Sequence, residues 1–183
     1  MPKLEIIVVY YSAYGSTKLV AEAIGQGIEK INNVISTLVR ISNDGSILEE
    51  NWQKLENAQA IIFGAPTYMG SLPGAVKTFM DSTSKIWLSQ KWKNKITGGF
   101  THSGGLSGDK LLSIIQLFIF AEQHGMIWVG NDIMTENSKT LGFLNRLTSF
   151  SGLMTQSNSS DKTLEIGDIN TAILYGKRIA SIT

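Results

Sequence analysis

The segment Leu4-Glu5-Ile6-Ile7-Val8-Val9-Tyr10-Tyr11 constrains the chain most: apart from Glu5 it is an unbroken run of apolar residues, most of them β-branched or aromatic. A strand with one face in water alternates polar and apolar residues. An uninterrupted run must be buried on both faces, which is the place of a central strand in a parallel sheet covered by helices on either side. Ser12-Ala13-Tyr14-Gly15-Ser16-Thr17 follows at once, and Val20, Ile24, Ile28 and Ile31 then recur at helical spacing. The pattern predicts strand, short loop and a helix from Ser16 to about Asn32-Asn33.

The same unit repeats. Val34–Ile41 reads as a second strand, Leu48–Leu55 as a weaker helix and Ala60–Gly64 as a third strand that Pro66 ends. Val76, Phe79, Met80, Thr83 and Trp87 form the stripe of a helix opening near Pro73, a residue suited to a first turn. Ile96–Thr101 reads as a fourth strand, Lys110–Gln123 as a helix, Met126–Val129 as a fifth strand and Asp168–Ile182 as a closing helix. Strands alternating with helices select an α/β three-layer sandwich on a five-stranded parallel sheet, with ligands at the carboxyl ends of the strands. The 183 residues fit one domain, 1–183. Residues 131–167 lack a regular period, yet Phe143, Leu144, Leu147, Phe150, Leu153 and Met154 argue against a flexible linker. Two readings stand for them: a packed connection with a short helix near Leu141–Leu147, or a functional lid.

Composition excludes several classes. With no cysteine there is no disulfide scaffold, thiolate metal site or cysteine nucleophile. Two histidines, His102 and His124, cannot build a His-rich metal site, so no metal is expected. A net charge of +1 gives no case for nucleic acid. Lys85, Lys91, Lys93 and Lys95 interleave with Trp87 and Trp92, but the pattern reads as a solvated connection. The N-terminal run is short and lacks a basic flank, so a cytoplasmic protein with no membrane anchor is expected. There is no Gly-x-Ser-x-Gly elbow for a hydrolase. Tyr11-Ser12 and Gly64-Ala65 stand where a phospho-receiver domain needs acids.

Three loops carry the chemistry. Ser12 to Thr17 joins a buried strand to a helix start, where free amides and the helix dipole favour an anion. It matches neither a dinucleotide fingerprint nor a P-loop, so it reads as a seat for one terminal phosphate or as a plain capped turn. Gly64-Ala65-Pro66-Thr67-Tyr68-Met69-Gly70-Ser71 offers backbone approach and an aromatic ring, and Thr101-His102-Ser103-Gly104-Gly105-Leu106-Ser107-Gly108 offers more amide donors.

Ser-x-x-Gly-x-Thr after strand one, Gly-x-Pro-Thr-x-x-Gly after strand three and the glycine-rich third loop resemble the flavodoxin-like FMN-binding fold, with sheet order 2-1-3-4-5. Pro66 to Gly70, Phe79-Met80-Asp81 with Trp87, and His124-Gly125-Met126 resemble more specifically the WrbA-type NAD(P)H:quinone oxidoreductases and NADPH-dependent FMN reductases. The resemblance implies FMN, with Ser12, Ala13, Tyr14, Gly15, Ser16 and Thr17 at its phosphate. It places Pro66, Thr67, Tyr68, Met69 and Gly70 with Thr101, His102, Ser103, Gly104, Gly105, Leu106 and Ser107 at the ring and ribityl chain. It implies Tyr14, Trp87 and His124 as catalytic residues beside NADH or NADPH and a quinone acceptor. Tyr68 and Met69 stand where that family often has Arg and Phe, and its later Pro-Tyr-Gly segment is missing. The bare residue reading of His124 is a dipole-favoured cation or a plain helix cap. An FMN electron carrier and a reductase of free flavin or iron chelates are the alternatives. Finally, Leu111, Leu112, Ile114, Ile115, Leu117, Phe118, Ile119 and Phe120 make the Lys110–Gln123 helix apolar around most of its circumference. A homo-oligomer is expected to cover what the sheet cannot.

Overall fold

The computed structural model describes residues 3–157 and 163–183. The strands β1 (Leu4–Tyr11), β2 (Val34–Ile41), β3 (Ala60–Pro66), β4 (Ile96–Ser103) and β5 (Ile127–Trp128) form a parallel sheet in the order β2-β1-β3-β4-β5. The continuous run is accounted for as predicted. Ile6, Val8 and Tyr10 pack in one core with α1 (Ser16–Ile28) and α6 (Ile166–Ile182). Ile7, Val9 and Tyr11 pack in the other with residues of α2 (Glu49–Asn57), α3 (Gly74–Ser82) and α5 (Lys110–Gln123). The α1 and α6 backbones touch, because a Cβ on Gly176 would lie 2.1 Å from the Ile24 carbonyl oxygen and one on Gly27 1.9 Å from that of Ile173. No helix among the described residues is long and apolar enough to cross a membrane.

Four local expectations change. First, α1 stops at Ile28, where a tight turn through Asn33 in the left-handed region feeds β2. Second, the helix through Trp87 is broken: Ser82 and Thr83 hydroxyls bond the Phe79 and Met80 carbonyls at 2.6 and 2.7 Å, and a separate α4 (Ser84–Leu88) follows. Such side-chain donors compete with the helical ladder. Pro73 accordingly caps α3 from outside. Third, Leu141–Leu147 is not helical. Gly142 and Asn145 have positive φ, and a hairpin of β6 (Glu136–Ser138) and β7 (Gly142–Leu144) stands there. Fourth, the fifth place in the sheet is filled twice. β5 pairs with the start of β4, and β8 (Leu153–Gln156) pairs with its end, Phe100 opposite Leu153 and Ser103 opposite Gln156. The segment 131–167 is thus partly a strand of the sheet, although its residues 158–162 lie outside the described residues.

Candidate flavin cleft

The parallel register brings the carboxyl ends of three strands level, with Tyr10 beside Gly64, Gly64 beside Phe100 and Pro66 beside His102. The loops that follow enclose a cavity of about 370 Å³ lined by Ser12, Tyr14, Ser16, Thr17, Pro66, Thr67, Tyr68, His102, Ser103, Gly104 and Ser157. That volume lies within the range of roughly 300–1,000 Å³ usual for small-molecule sites.

The first loop is shaped by Gly15, which precedes α1 with φ +98°, a conformation a β-branched residue cannot hold without strain. The buried Ser12 hydroxyl accepts from the Gly15 and Lys18 amides at 3.1 and 3.3 Å, while its carbonyl accepts from Arg40. The Ser16 and Thr17 amides have no acceptor among the described residues, and no acidic side chain stands in the first turn. Ala13 and Gly15 border a smaller hollow of about 190 Å³ with Lys18 and Arg40.

The second loop stands on a buried trio of hydroxyls. Thr67 Oγ1 lies 2.7 Å from Thr101 Oγ1 and 2.8 Å from Ser113 Oγ. Thr101 is therefore wholly buried under the cleft and does not line it. Tyr68 exchanges backbone hydrogen bonds with Ser71 at 2.9 and 3.1 Å, closing a turn whose corner residues Met69 and Gly70 have positive φ and stay outside the cavity. Tyr68 and Tyr14 face each other with ring centroids 6.2 Å apart and planes inclined by 57°. Burial pushes the Tyr68 phenol above its ordinary range.

The third loop brings Ser103 and Gly104 to the wall and leaves Gly105, Leu106 and Ser107 on the exposed rim. His102 is buried, with Nδ1 3.0 Å from Thr155 Oγ1 and Nε2 3.2 Å from Ser157 Oγ. Burial, helped by nearby Lys110, lowers its pKa to about 4, so it is neutral at pH 7. Thr155 and Ser157 come with β8. Sequence reading missed both, because the residues before them carry no period that announces a strand.

Trp87 and His124 lie elsewhere. They line a second cavity of about 630 Å³, mostly apolar, between α3–α4 and α5. The 67–72 turn stands between the two, contributing Thr67 and Tyr68 to the cleft and Ser71 and Leu72 to the second cavity. His124 is 2% exposed and stacks near Trp92 and Phe120 at 4.6 and 4.9 Å. Thr83 donates to the Met80 carbonyl, so its oxygen accepts from His124 Nε2–H at 3.0 Å. Nδ1 is then a bare acceptor without a partner among the described residues. Burial lowers this pKa too, to about 4, so the imidazole is neutral at neutral pH and no dipole-favoured cation forms. Next to the groove, Leu111, Leu112, Ile115, Phe118 and Ile119 of α5 are exposed, so the described part of the 131–167 segment does not cover them.

The cleft fits a flavin mononucleotide: hydroxyls and unpaired amides at a helix start suit a terminal phosphate, and two tyrosines suit a flat ring. Comparison with known proteins agrees. The chain is 42% identical over 180 residues, 96% of its length and 95% of the relative's, to flavodoxin FldP of Pseudomonas aeruginosa. It is 25% identical to an NAD(P)H dehydrogenase (quinone) of Solidesulfovibrio magneticus, covering 98% of both chains. The solved structure of a WrbA-like flavodoxin from Agrobacterium tumefaciens superposes with a TM-score of 0.79 at 39% identity, over 98% of this chain and 97% of that one. Residues 11–140 match the family model of NADPH-dependent FMN reductases, and the chain belongs to that family.

Proposed function

We propose that the chain is an FMN-dependent NAD(P)H:quinone oxidoreductase. The observation that carries this reading is a cleft at the ends of β1, β3 and β4 with neutral hydrogen-bonding groups and two facing tyrosines. FMN held there would accept a hydride from NADH or NADPH and pass two electrons to a quinone. The Ser16 and Thr17 amides, with the Ser12 and Thr17 hydroxyls beside them, bind its phosphate. Tyr14 and Tyr68 confine the ring and keep water from it, and the Tyr68 hydroxyl keeps its proton across the neutral range. His102, clamped between Thr155 and Ser157, adds a fixed dipole to the floor. Trp87 and His124 serve the acceptor from the neighbouring groove, whose wall they help to form. A second copy of the chain covers the exposed apolar face of α5.

The test is direct. Purified protein should be yellow, or become so with FMN, and anaerobic NADH or NADPH should bleach it, with steady turnover on a benzoquinone. A colourless chain that binds no FMN sinks the reading. Bound FMN without nicotinamide turnover points instead to an electron carrier, a reading that the 42% identity to a protein named flavodoxin supports.

A further inference from the structure

Lys110 opens α5 and is 1% exposed. A cation there opposes both burial and the positive end of the helix dipole. Its Nζ donates backward to the carbonyls of Leu106, at 3.1 Å, and Gly105. Because a trans peptide points its carbonyl and the following N–H in opposite directions, the amides of Leu106 and Ser107 point away from Lys110. Neither has an acceptor among the described residues.

The charges around it do not cancel. Arg146 grips Asp168 at 2.8 and 2.9 Å. Gln156 donates its amide to Asp168 at 2.8 Å and its side chain to the Gly104 carbonyl at 2.8 Å, tying this pair to the same loop. Asp168 is matched by Arg146, which leaves the Lys110 charge in excess. The ionisable groups that act on Lys110 are Asp168 at the start of α6 and Arg146 before β8. His102 on β4 in turn feels its charge. A residue on the floor of the cleft therefore senses Lys110 although Lys110 does not line it. A neutral donor would brace the loop at less cost, so the charge itself calls for a use.

Building on the flavin reading, we propose that Lys110 is a positioning residue for FMN: it turns the rim amides of the third loop outward and places an uncompensated positive charge behind them, favouring the more negative, reduced form of the cofactor. The wild-type chain, Lys110→Gln and Lys110→Met are titrated with FMN by fluorescence, their midpoint potentials are measured against dyes, and circular dichroism checks folding. Gln keeps a donor without the charge, so its affinity for oxidised FMN should stay within about threefold of wild type, while Met loses roughly tenfold, about the worth of one neutral hydrogen bond. Both should lose about tenfold in preference for reduced over oxidised FMN, a drop of about 30 mV for a two-electron couple. An unchanged potential in a folded Gln variant overturns the proposal.

Should the variants fail to fold, the wild type alone decides. Burial first, with Arg146 adding and Asp168 opposing, lowers the Lys110 pKa to about 8. The bound FMN potential should then fall relative to that of free FMN from pH 7 to 9, while His102 stays neutral. A constant difference overturns the proposal. Wild-type protein that binds no FMN overturns the flavin reading together with this one, whereas binding with unshifted variants overturns this one alone.

Discussion

The cleft and the groove each bury one histidine, and the two imidazoles are held neutral by the same cause, yet their surroundings differ. His102 has both nitrogens engaged by hydroxyls from β8, and it sits among threonines and serines whose own hydrogen bonds are met. His124 has one nitrogen engaged and one bare, and it sits among Trp92 and Phe120. A saturated polar floor is rigid and specifies one ligand pose, because any displaced group would lose a buried partner. A mostly apolar groove, with the histidine nitrogen sealed inside its wall, holds rings of many shapes. The contrast suits a resident cofactor on one side of the 67–72 turn and exchangeable partners on the other.

Acid gives the largest way to break this comparison. Both histidines titrate near 4 when folded and near 6.5 when unfolded. Between those values the unfolded chain binds more protons, so stability is full above pH 6.5 and falls as the pH drops toward 4. The loss is on the order of 3 kcal/mol per histidine at most. Asp168, whose carboxyl burial pushes up, offsets part of it. Urea unfolding at pH 7 and pH 4.5 measures the loss, and His124→Phe should remove its share at little cost at pH 7. His102→Phe should cost about 1–3 kcal/mol at pH 7, since it strands two hydroxyls. Equal behaviour of the two variants would erase the distinction.

Smaller effects follow at each site. In Gly15→Ala the added Cβ meets no atom within 4 Å, so its whole penalty is backbone strain at φ +98°, about 1–3 kcal/mol. FMN affinity should fall roughly ten- to hundredfold, read by fluorescence titration, with the groove untouched. A change under twofold would remove the first loop from the site. Ile119→Glu on the groove wall should do the converse. FMN affinity should hold within about twofold, while sedimentation shifts from oligomer to monomer as a charge enters an apolar contact. A wild-type chain that sediments only as a monomer at micromolar concentration breaks the oligomer proposal.

Much of the molecule was legible without coordinates. The run Leu4–Tyr11, the period of Val20, Ile24 and Ile28 and the glycine-hydroxyl loops report on burial and turning within a few residues of themselves. Those local signals determined a parallel α/β sheet and which loops meet at its carboxyl edge. Only the tertiary structure decided what depends on partners far along the chain. β8 completes the sheet beside β4 and delivers Thr155 and Ser157 to His102 more than fifty residues away. Thr101 is pulled beneath the cleft, Trp87 and His124 fall into a separate groove, and Lys110, which in the sequence only opens a helix, is buried under the third loop. Side-chain period encodes how often a residue meets the interior and carries no record of which distant strand or carbonyl it meets there. That choice is made when the sheet closes and the remaining polar groups must find partners.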